Sequence, residues 1–151
     1  MPAARQTVVF LCADNSVRSP MAEGLFRHHT GERIEVESAG LAPKPVHPLV
    51  SEVLGEVGVA STPRSSKRIG DILGKRRVRY AVILRHGHEP DAPRIYPFAT
   101  RTVRWDIEDP VSTDANDAEA LERFRRVRDD IDGHVHALIE ELSLKRPTSV
   151  T

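Results

Sequence analysis

The residues most suited to chemistry are Cys12 and Arg18, which both lie in the segment VVFLCADNSVRSP (residues 8–20). A thiol becomes a nucleophile when it ionises, and a nearby arginine or a helix N-terminus lowers its pKa. Ser19-Pro20 has the composition of a helix start, so both influences are expected around Cys12. The pattern predicts a nucleophilic Cys12, and the alternative is a cysteine that only fills the core.

The five residues between Cys12 and Arg18 form a loop that can turn its backbone N–H groups towards a single anion. Arg18 can hold two oxyanion oxygens with its planar guanidinium. The predicted substrate-binding residues are therefore consecutive: Ala13, Asp14, Asn15, Ser16, Val17, Arg18 and Ser19.

Three side chains of this loop carry separate expectations. Asn15 suits a left-handed turn position and can brace the loop through hydrogen bonds. Ser19 is expected to cap the helix and to donate a hydrogen bond to the thiolate. Asp14 is expected to point outward, because a carboxylate inside the loop would repel an anion.

Alternating strand and helix patterns surround the loop and indicate an α/β fold with a parallel sheet. Apolar or alternating runs predict strands at 7–12, 33–38, 80–84 and 102–105. Helical periodicity predicts one helix from Ser19-Pro20 to Thr30-Gly31, one over 49–57 with Gly58 as its cap, a short one near 69–73, and a last one that opens between Asp114 and Asp117 and continues to Leu142. Residues 85–100 are predicted to form a long loop. Because ligands of such folds bind beyond the carboxyl ends of the strands, the Cys12 loop is well placed.

The composition limits the kind of protein this can be. With 151 residues, 22 basic and 22 acidic, the chain predicts one domain over 1–151, with its compact part at about 7–142, and no nucleic-acid partner. One cysteine allows no internal disulfide, and neither a signal peptide nor a membrane-spanning run is evident. We therefore expect a cytoplasmic protein without a membrane partner.

Four segments together resemble one family. VVFLCADNSVRSPMAEGLFRH resembles the anion-binding loop of the low-molecular-weight protein tyrosine phosphatase superfamily, which includes thiol-dependent arsenate reductases. Three further segments resemble the family's second strand and helix, its acid loop and its last helix: VESAGLAPKPVHPLVSEVLGEVGV, WDIEDP and FRRVRDDIDGHVHALIEEL. The resemblance covers roughly residues 7–142.

The resemblance implies a three-layer α/β sandwich, with a four-stranded parallel sheet in the order 2-1-3-4 and helices on both faces. It also implies that Cys12 is the nucleophile, that Arg18 and the backbone of residues 13–18 hold the oxyanion, and that Asp109 is the general acid. A loop carboxylic acid can protonate a leaving oxygen, which agrees with that role. Asp106 and Glu108 are competing candidates, and a plain Asp-Pro turn is the alternative.

Two features favour a reductase over a phosphatase. Thioredoxin-coupled members of the family carry further cysteines, whereas this chain has one, so reduction would need an external thiol of the glutathione or mycothiol type. The phosphatases place tyrosines after Asp-Pro, whereas this chain has Val111-Ser112. We expect an arsenate reductase with no tightly bound cofactor and with a glutaredoxin- or mycoredoxin-like reductant. The alternatives are a phosphatase that forms a phosphocysteine on a phosphomonoester, and a catalytically weak anion-binding module.

The remaining charged motifs predict no site. His86 and His88 are two histidines without further obvious ligands, so no metal site is predicted. Four other histidines fall on helix patterns and are expected at the surface: His28, His29, His134 and His136. The basic run at residues 75–79 is expected to be a solvated face, with nucleic-acid binding as a remote alternative.

Overall fold

The computed structural model describes residues 7–31, 33–59, 68–71, 77–87, 99–111 and 116–142. Within these ranges the elements follow one another as β1 (Thr7–Cys12), α1 (Arg18–Thr30), β2 (Glu35–Gly40), α2 (Pro48–Glu56), a 3-10 helix (Ile69–Asp71), β3 (Val78–Arg85), β4 (Ala99–Asp106) and α3 (Asp117–Glu141). None of the helices in these ranges combines the length and the apolarity that a membrane span requires.

The four strands form one parallel sheet in the order β2-β1-β3-β4, which confirms the predicted topology. The central strand β1 is buried along its whole length, as its continuous apolar sequence requires. Its last residue, Cys12, pairs in register with Gly40 at the end of β2. The carboxyl ends of the strands lie at one edge of the sheet, where the loop after Cys12 begins.

The two faces of the sheet pack against separate apolar clusters. The larger cluster combines one face of the strands with α1, α2 and α3, and Phe10 lies within it, 5.6 Å between ring centroids from both Phe26 and Trp105. The smaller cluster, which includes Val9, Leu11 and Ile83, lies on the other face and is joined there by Ile69 of the 3-10 helix. The side chain of Cys12 packs within the larger cluster.

Most predicted elements occur with shifted ends. The strand predicted at 33–38 is β2 and begins two residues later, while β3 and β4 extend beyond the predicted 80–84 and 102–105.

Gly58 follows α2 with a positive φ of 77°. Its N–H donates to Gly55 and that of Val59 to Leu54, which is the hydrogen-bond pattern of a Schellman cap.

The prediction for the cap of α1 is wrong. The helix begins at Arg18, and Val17, not Ser19, is the N-cap residue, without a side-chain capping bond. The Ser19 hydroxyl is already inside the helix and is engaged elsewhere, as described below. Asn116 caps α3 by accepting from the Glu119 N–H, within the predicted opening of that helix.

Several expectations fall on parts of the chain outside the described residues. They concern most of the predicted 85–100 loop with His88, the Ser112 that follows Val111, and the first two residues of the basic run at 75–79. The assignment of one domain to residues 1–151 stays a prediction.

Candidate active site

The Cys12 thiol lies beside two polar side chains of its own loop and helix. Its Sγ is 2.9 Å from the Ser19 hydroxyl, and that hydroxyl accepts a 2.8 Å hydrogen bond from Asn15 Nδ2. Because the Ser19 oxygen receives the Asn15 proton, its own proton can point to the sulfur. Asn15 has a φ of 53°, which confirms the predicted left-handed position. All three side chains are buried.

The carbonyl groups of the loop are held on one side by the segment that follows β2. The oxygens of Ala13, Asp14 and Ser16 accept from the backbone N–H groups of residues 42, 44 and 47, at 3.0, 2.8 and 2.9 Å. In a trans peptide unit the N–H points opposite to the C=O, and no cis bond occurs among the described residues. The N–H groups of residues 14, 15 and 17 therefore turn to the other side of the loop, which is how a backbone anion cradle is built.

Gly40 is a positioning residue that the sequence reasoning missed. A Cβ placed on it would lie 2.7 Å from the Asn15 nitrogen and 2.8 Å from the Asp14 carbonyl carbon. Backbone atoms cannot yield as a side chain could, so only glycine allows the loop to approach β2 this closely. The signal available in the sequence was a glycine at a strand end, where a close backbone approach is common.

Arg18 connects the loop to the segment after β4. The side chain is 5% exposed, and its Nη1 donates a 3.0 Å hydrogen bond to the carbonyl of Ile107. Ile107 is held in turn by its N–H, which donates to the Arg85 carbonyl at 2.9 Å. These bonds connect the Arg18 guanidinium to the segment that leads to Asp109.

Asp14 folds back onto its own loop. Its half-buried carboxylate accepts from the Ser16 N–H at 3.1 Å and from the Ser16 hydroxyl at 2.6 Å through the same oxygen. One of the predicted cradle N–H groups is thus already occupied by a carboxylate. A bound oxyanion would have to share the loop with this negative charge.

The electrostatic environment of Cys12 differs from the sequence-based expectation. Burial raises the pKa of the thiol above its ordinary value, while the hydrogen bonds from Ser19 and the charge of Arg18 lower it and Asp14 adds a smaller increase. The expected lowering is therefore wrong for this structure, because the cost of removing a thiolate from water outweighs the positive surroundings. Ser19 and Arg18 partly offset that cost.

Asp109 lies two residues beyond Ile107 and is exposed. Its Oδ1 accepts a 3.0 Å hydrogen bond from the Val111 N–H, so the carboxylate shapes the Asp-Pro turn. Of its two competitors, Asp106 pairs with His86 at 2.9 Å and Glu108 is exposed. No contact between Asp109 and Cys12 is found among the described residues. Asp109 is linked to the Cys12 loop through the hydrogen bond from Arg18 to the carbonyl of Ile107.

A cavity of about 540 Å³ adjoins the Asp-Pro turn. Its wall includes Pro110, Val111, Leu49 and Phe124, together with His47, whose N–H donates to the Ser16 carbonyl of the loop. The cavity thus borders both the turn and the segment that holds the cradle.

Comparisons with known proteins identify the family of this chain. The family model described as low molecular weight phosphotyrosine protein phosphatase matches residues 7–148. This chain belongs to that family. An arsenate reductase of Halalkalibacterium halodurans is 31% identical over 137 residues, which cover 90% of this chain and 96% of that protein.

Solved structures of the low molecular weight phosphatase family share the fold. An arsenate reductase in its phosphate-binding state has a TM-score of 0.74 and 29% identity, and the match covers 90% of this chain and 98% of that chain. A thioredoxin-dependent arsenate reductase of Corynebacterium glutamicum has a TM-score of 0.71 and 27% identity, with 95% of this chain and 65% of that chain covered. These matches confirm the predicted family and fold.

Proposed function

We propose that this family member is an arsenate reductase in which Cys12 attacks arsenate bound by residues 13–19. The observation that carries the proposal is the Cys12–Ser19–Asn15 contact inside a loop whose carbonyls are turned away. This contact supports the proposal because a thiol lies beside a hydroxyl that can donate to it, in a loop whose N–H groups face away from the partners of its carbonyls. The arsenate reductases among the relatives favour arsenate over other tetrahedral oxyanions as the substrate.

The first step forms a covalent adduct. The Cys12 thiolate attacks arsenic, an S–As bond forms, and one As–OH bond breaks as the hydroxyl takes a proton and leaves as water. Arg18 and the loop N–H groups stabilise the negative charge of the remaining oxygens. Ser19 stabilises the thiolate before attack and offsets part of the cost of its burial, and Asp109 is the proposed source of the proton.

The second step needs an external thiol, because the chain has one cysteine. A thiolate of the glutathione or mycothiol type attacks the Cys12 sulfur, the S–As bond breaks, and its electron pair reduces As(V) to As(III), which leaves as arsenite. A second thiol, or a glutaredoxin- or mycoredoxin-like protein, then reduces the mixed disulfide and restores Cys12. Two thiols are oxidised to one disulfide for each arsenate reduced. Because a single catalytic thiol must stay reduced, we place this activity in the cytoplasm.

A paired assay tests the proposal. The protein is incubated with arsenate and, in separate reactions, with glutathione, mycothiol or a thioredoxin system, and arsenite is measured. Hydrolysis of an aryl phosphate is measured in parallel. We expect arsenite release that depends on a low-molecular-weight thiol and is abolished in Cys12→Ser, whereas Ser51→Ala, an exposed serine on α2, is unaffected.

Two other outcomes contradict the proposed reductase, and a third would change only the reductant. Hydrolysis of the aryl phosphate without arsenite release would make the protein a phosphatase with the same nucleophile. Neither activity, with phosphate still protecting Cys12 from alkylation, would indicate an anion-binding module. Arsenite release supported by thioredoxin alone would retain the reductase and exclude the low-molecular-weight thiol.

A further inference from the structure

Two histidines and one aspartate meet between α1 and α3, and His29 is 103 residues before Asp132 in the chain. His29 lies in the last turn of α1, whereas Asp132 and His136 are one turn apart on the same side of α3. His29 Nε2 is 2.9 Å from Asp132 Oδ1, and His136 Nε2 is 3.4 Å from the other oxygen, Asp132 Oδ2. The two imidazole rings are 4.3 Å apart between centroids. We propose that His29, Asp132 and His136 bind a divalent transition-metal ion that links α1 to α3.

The spacing of the three side chains fits one ion. One donor atom from each residue can be chosen so that all lie within 4.8 Å of one another. A zinc ion with bonds of about 2.0–2.2 Å to nitrogen and oxygen needs donors about 3–3.5 Å apart. The two histidine–aspartate distances, 2.9 and 3.4 Å, fall at or near this range but end on different oxygens of Asp132. Because the three donors are only within 4.8 Å of one another, the side chains must rotate to bring them around one ion.

The donor set selects the class of metal. Two imidazole nitrogens and one carboxylate oxygen suit Zn²⁺, Ni²⁺, Co²⁺ or Cu²⁺, whereas Ca²⁺ and Mg²⁺ prefer oxygen ligands. The side chains of His29 and Asp132 are 26% and 33% exposed, and that of His136 is 58% exposed. An ion can therefore enter from solvent, and water can complete its coordination.

The site lies at the opposite end of α1 from the proposed chemistry. The 13 residues of α1 place His29 at the C-terminal end and Ser19 in the first turn, roughly 15 Å apart at 1.5 Å per residue. The ion would thus act on the packing of α1 against α3 and would not touch the oxyanion. This inference stands or falls independently of the proposed reductase activity.

The experiment uses the full chain with Cys12→Ser, which removes the thiol as a competing metal ligand. Zn²⁺ and Ni²⁺ are titrated calorimetrically, and thermal unfolding is followed with and without each ion. We expect one ion per chain and a Tm that rises with ion concentration. With Co²⁺, we expect a visible absorption spectrum from nitrogen ligation.

The control is a second histidine–aspartate pair on the same helix. His134 lies 3.6 Å from Asp130 at the same four-residue spacing, but neither belongs to a cluster of three such donors among the described residues. His29→Asn and His136→Asn should each weaken metal binding by about tenfold or more and abolish the rise in Tm. His134→Asn should leave the affinity for the metal unchanged and keep the full rise in Tm. Absence of binding, or equal binding in all three variants, would overturn the proposal. Circular dichroism without metal verifies that each variant is folded.

Discussion

The backbone of Asn15 lies against Gly40 so closely that a Cβ at residue 40 would stand 2.7 Å from the Asn15 nitrogen. Gly40→Ala must push the loop away from β2, because the opposing atoms belong to the backbone. We expect a loss of about 1–3 kcal/mol in the free energy of unfolding. We also expect weaker phosphate protection of Cys12 against alkylation, measured as the alkylation rate with and without phosphate.

Gly55 provides the matched control for this change. It lies within α2, and a Cβ there would meet nothing within 4 Å. Gly55→Ala should leave phosphate protection unchanged and stabilise the helix by about 0.5–1 kcal/mol. If both variants behave alike, the close approach of Gly40 does not position the loop.

The sequence predicted the strands and helices well because the two have different hydrophobic patterns. The strands are short apolar or alternating runs, whereas the helices repeat apolar residues every three or four positions. The five apolar residues that follow Thr7 in β1 are typical of a buried strand, and the apolar stripe from Leu121 to Leu142 is typical of a long amphipathic helix. The exact ends of the strands and helices were harder to predict, since they depend on tertiary contacts. Ser19 is an example, because its hydroxyl lies within hydrogen-bond distance of Cys12 and does not cap α1.

The candidate site was predictable where one short segment holds all its parts. Cys12, Asn15 and Ser19 lie within eight residues, so their types and spacing could be interpreted together. Gly40 and the His29–Asp132–His136 cluster depend on contacts between segments that are distant in the chain. The raised pKa of Cys12 was also inaccessible, because the sequence shows the neighbouring charges but not the degree of burial.

Asp14 should weaken oxyanion binding. Its carboxylate occupies the Ser16 N–H and raises the pKa of Cys12, so it opposes both an anion and a thiolate in the same loop. Asp14→Asn keeps a side-chain oxygen that can accept from Ser16 but removes the charge. We expect phosphate or arsenate to bind roughly tenfold more tightly, measured by calorimetry, and Cys12 to be alkylated faster at neutral pH.

An exposed carboxylate elsewhere serves as the control for Asp14. Glu119→Gln, an exposed residue in the first turn of α3, should change neither the affinity for phosphate nor the alkylation rate. Unchanged or weaker anion binding in Asp14→Asn would mean that the carboxylate does not act on the bound anion.

The buried thiol should make the protein less stable in alkali. Burial raises the pKa of Cys12 in the folded state, so folding favours the protonated thiol. That contribution is complete below the ordinary value of 9.0 and is lost as the pH rises through the higher folded value. We expect the free energy of unfolding, measured with urea, to fall from about pH 9 upwards, and to fall less steeply in Cys12→Ser.

Tyr80 requires attention in that comparison, because burial and Glu141 raise the pKa of its phenol as well. It is present in both proteins, so the difference between their pH profiles isolates Cys12. Two profiles that differ by a constant offset would show that the thiol does not titrate in this range.

Asp109 should matter for turnover and not for binding. Asp109→Asn retains the side-chain oxygen that accepts from the Val111 N–H and therefore preserves the Asp-Pro turn, but it removes the acidic proton. Loss of a general acid lowers a rate by roughly 10²–10⁴-fold. We expect kcat to fall by this factor with little change in the affinity for phosphate, whereas Glu108→Gln, an exposed neighbour, should leave kcat nearly unchanged. A full kcat in Asp109→Asn would remove Asp109 from the mechanism, and a loss confined to Glu108→Gln would assign the proton to Glu108.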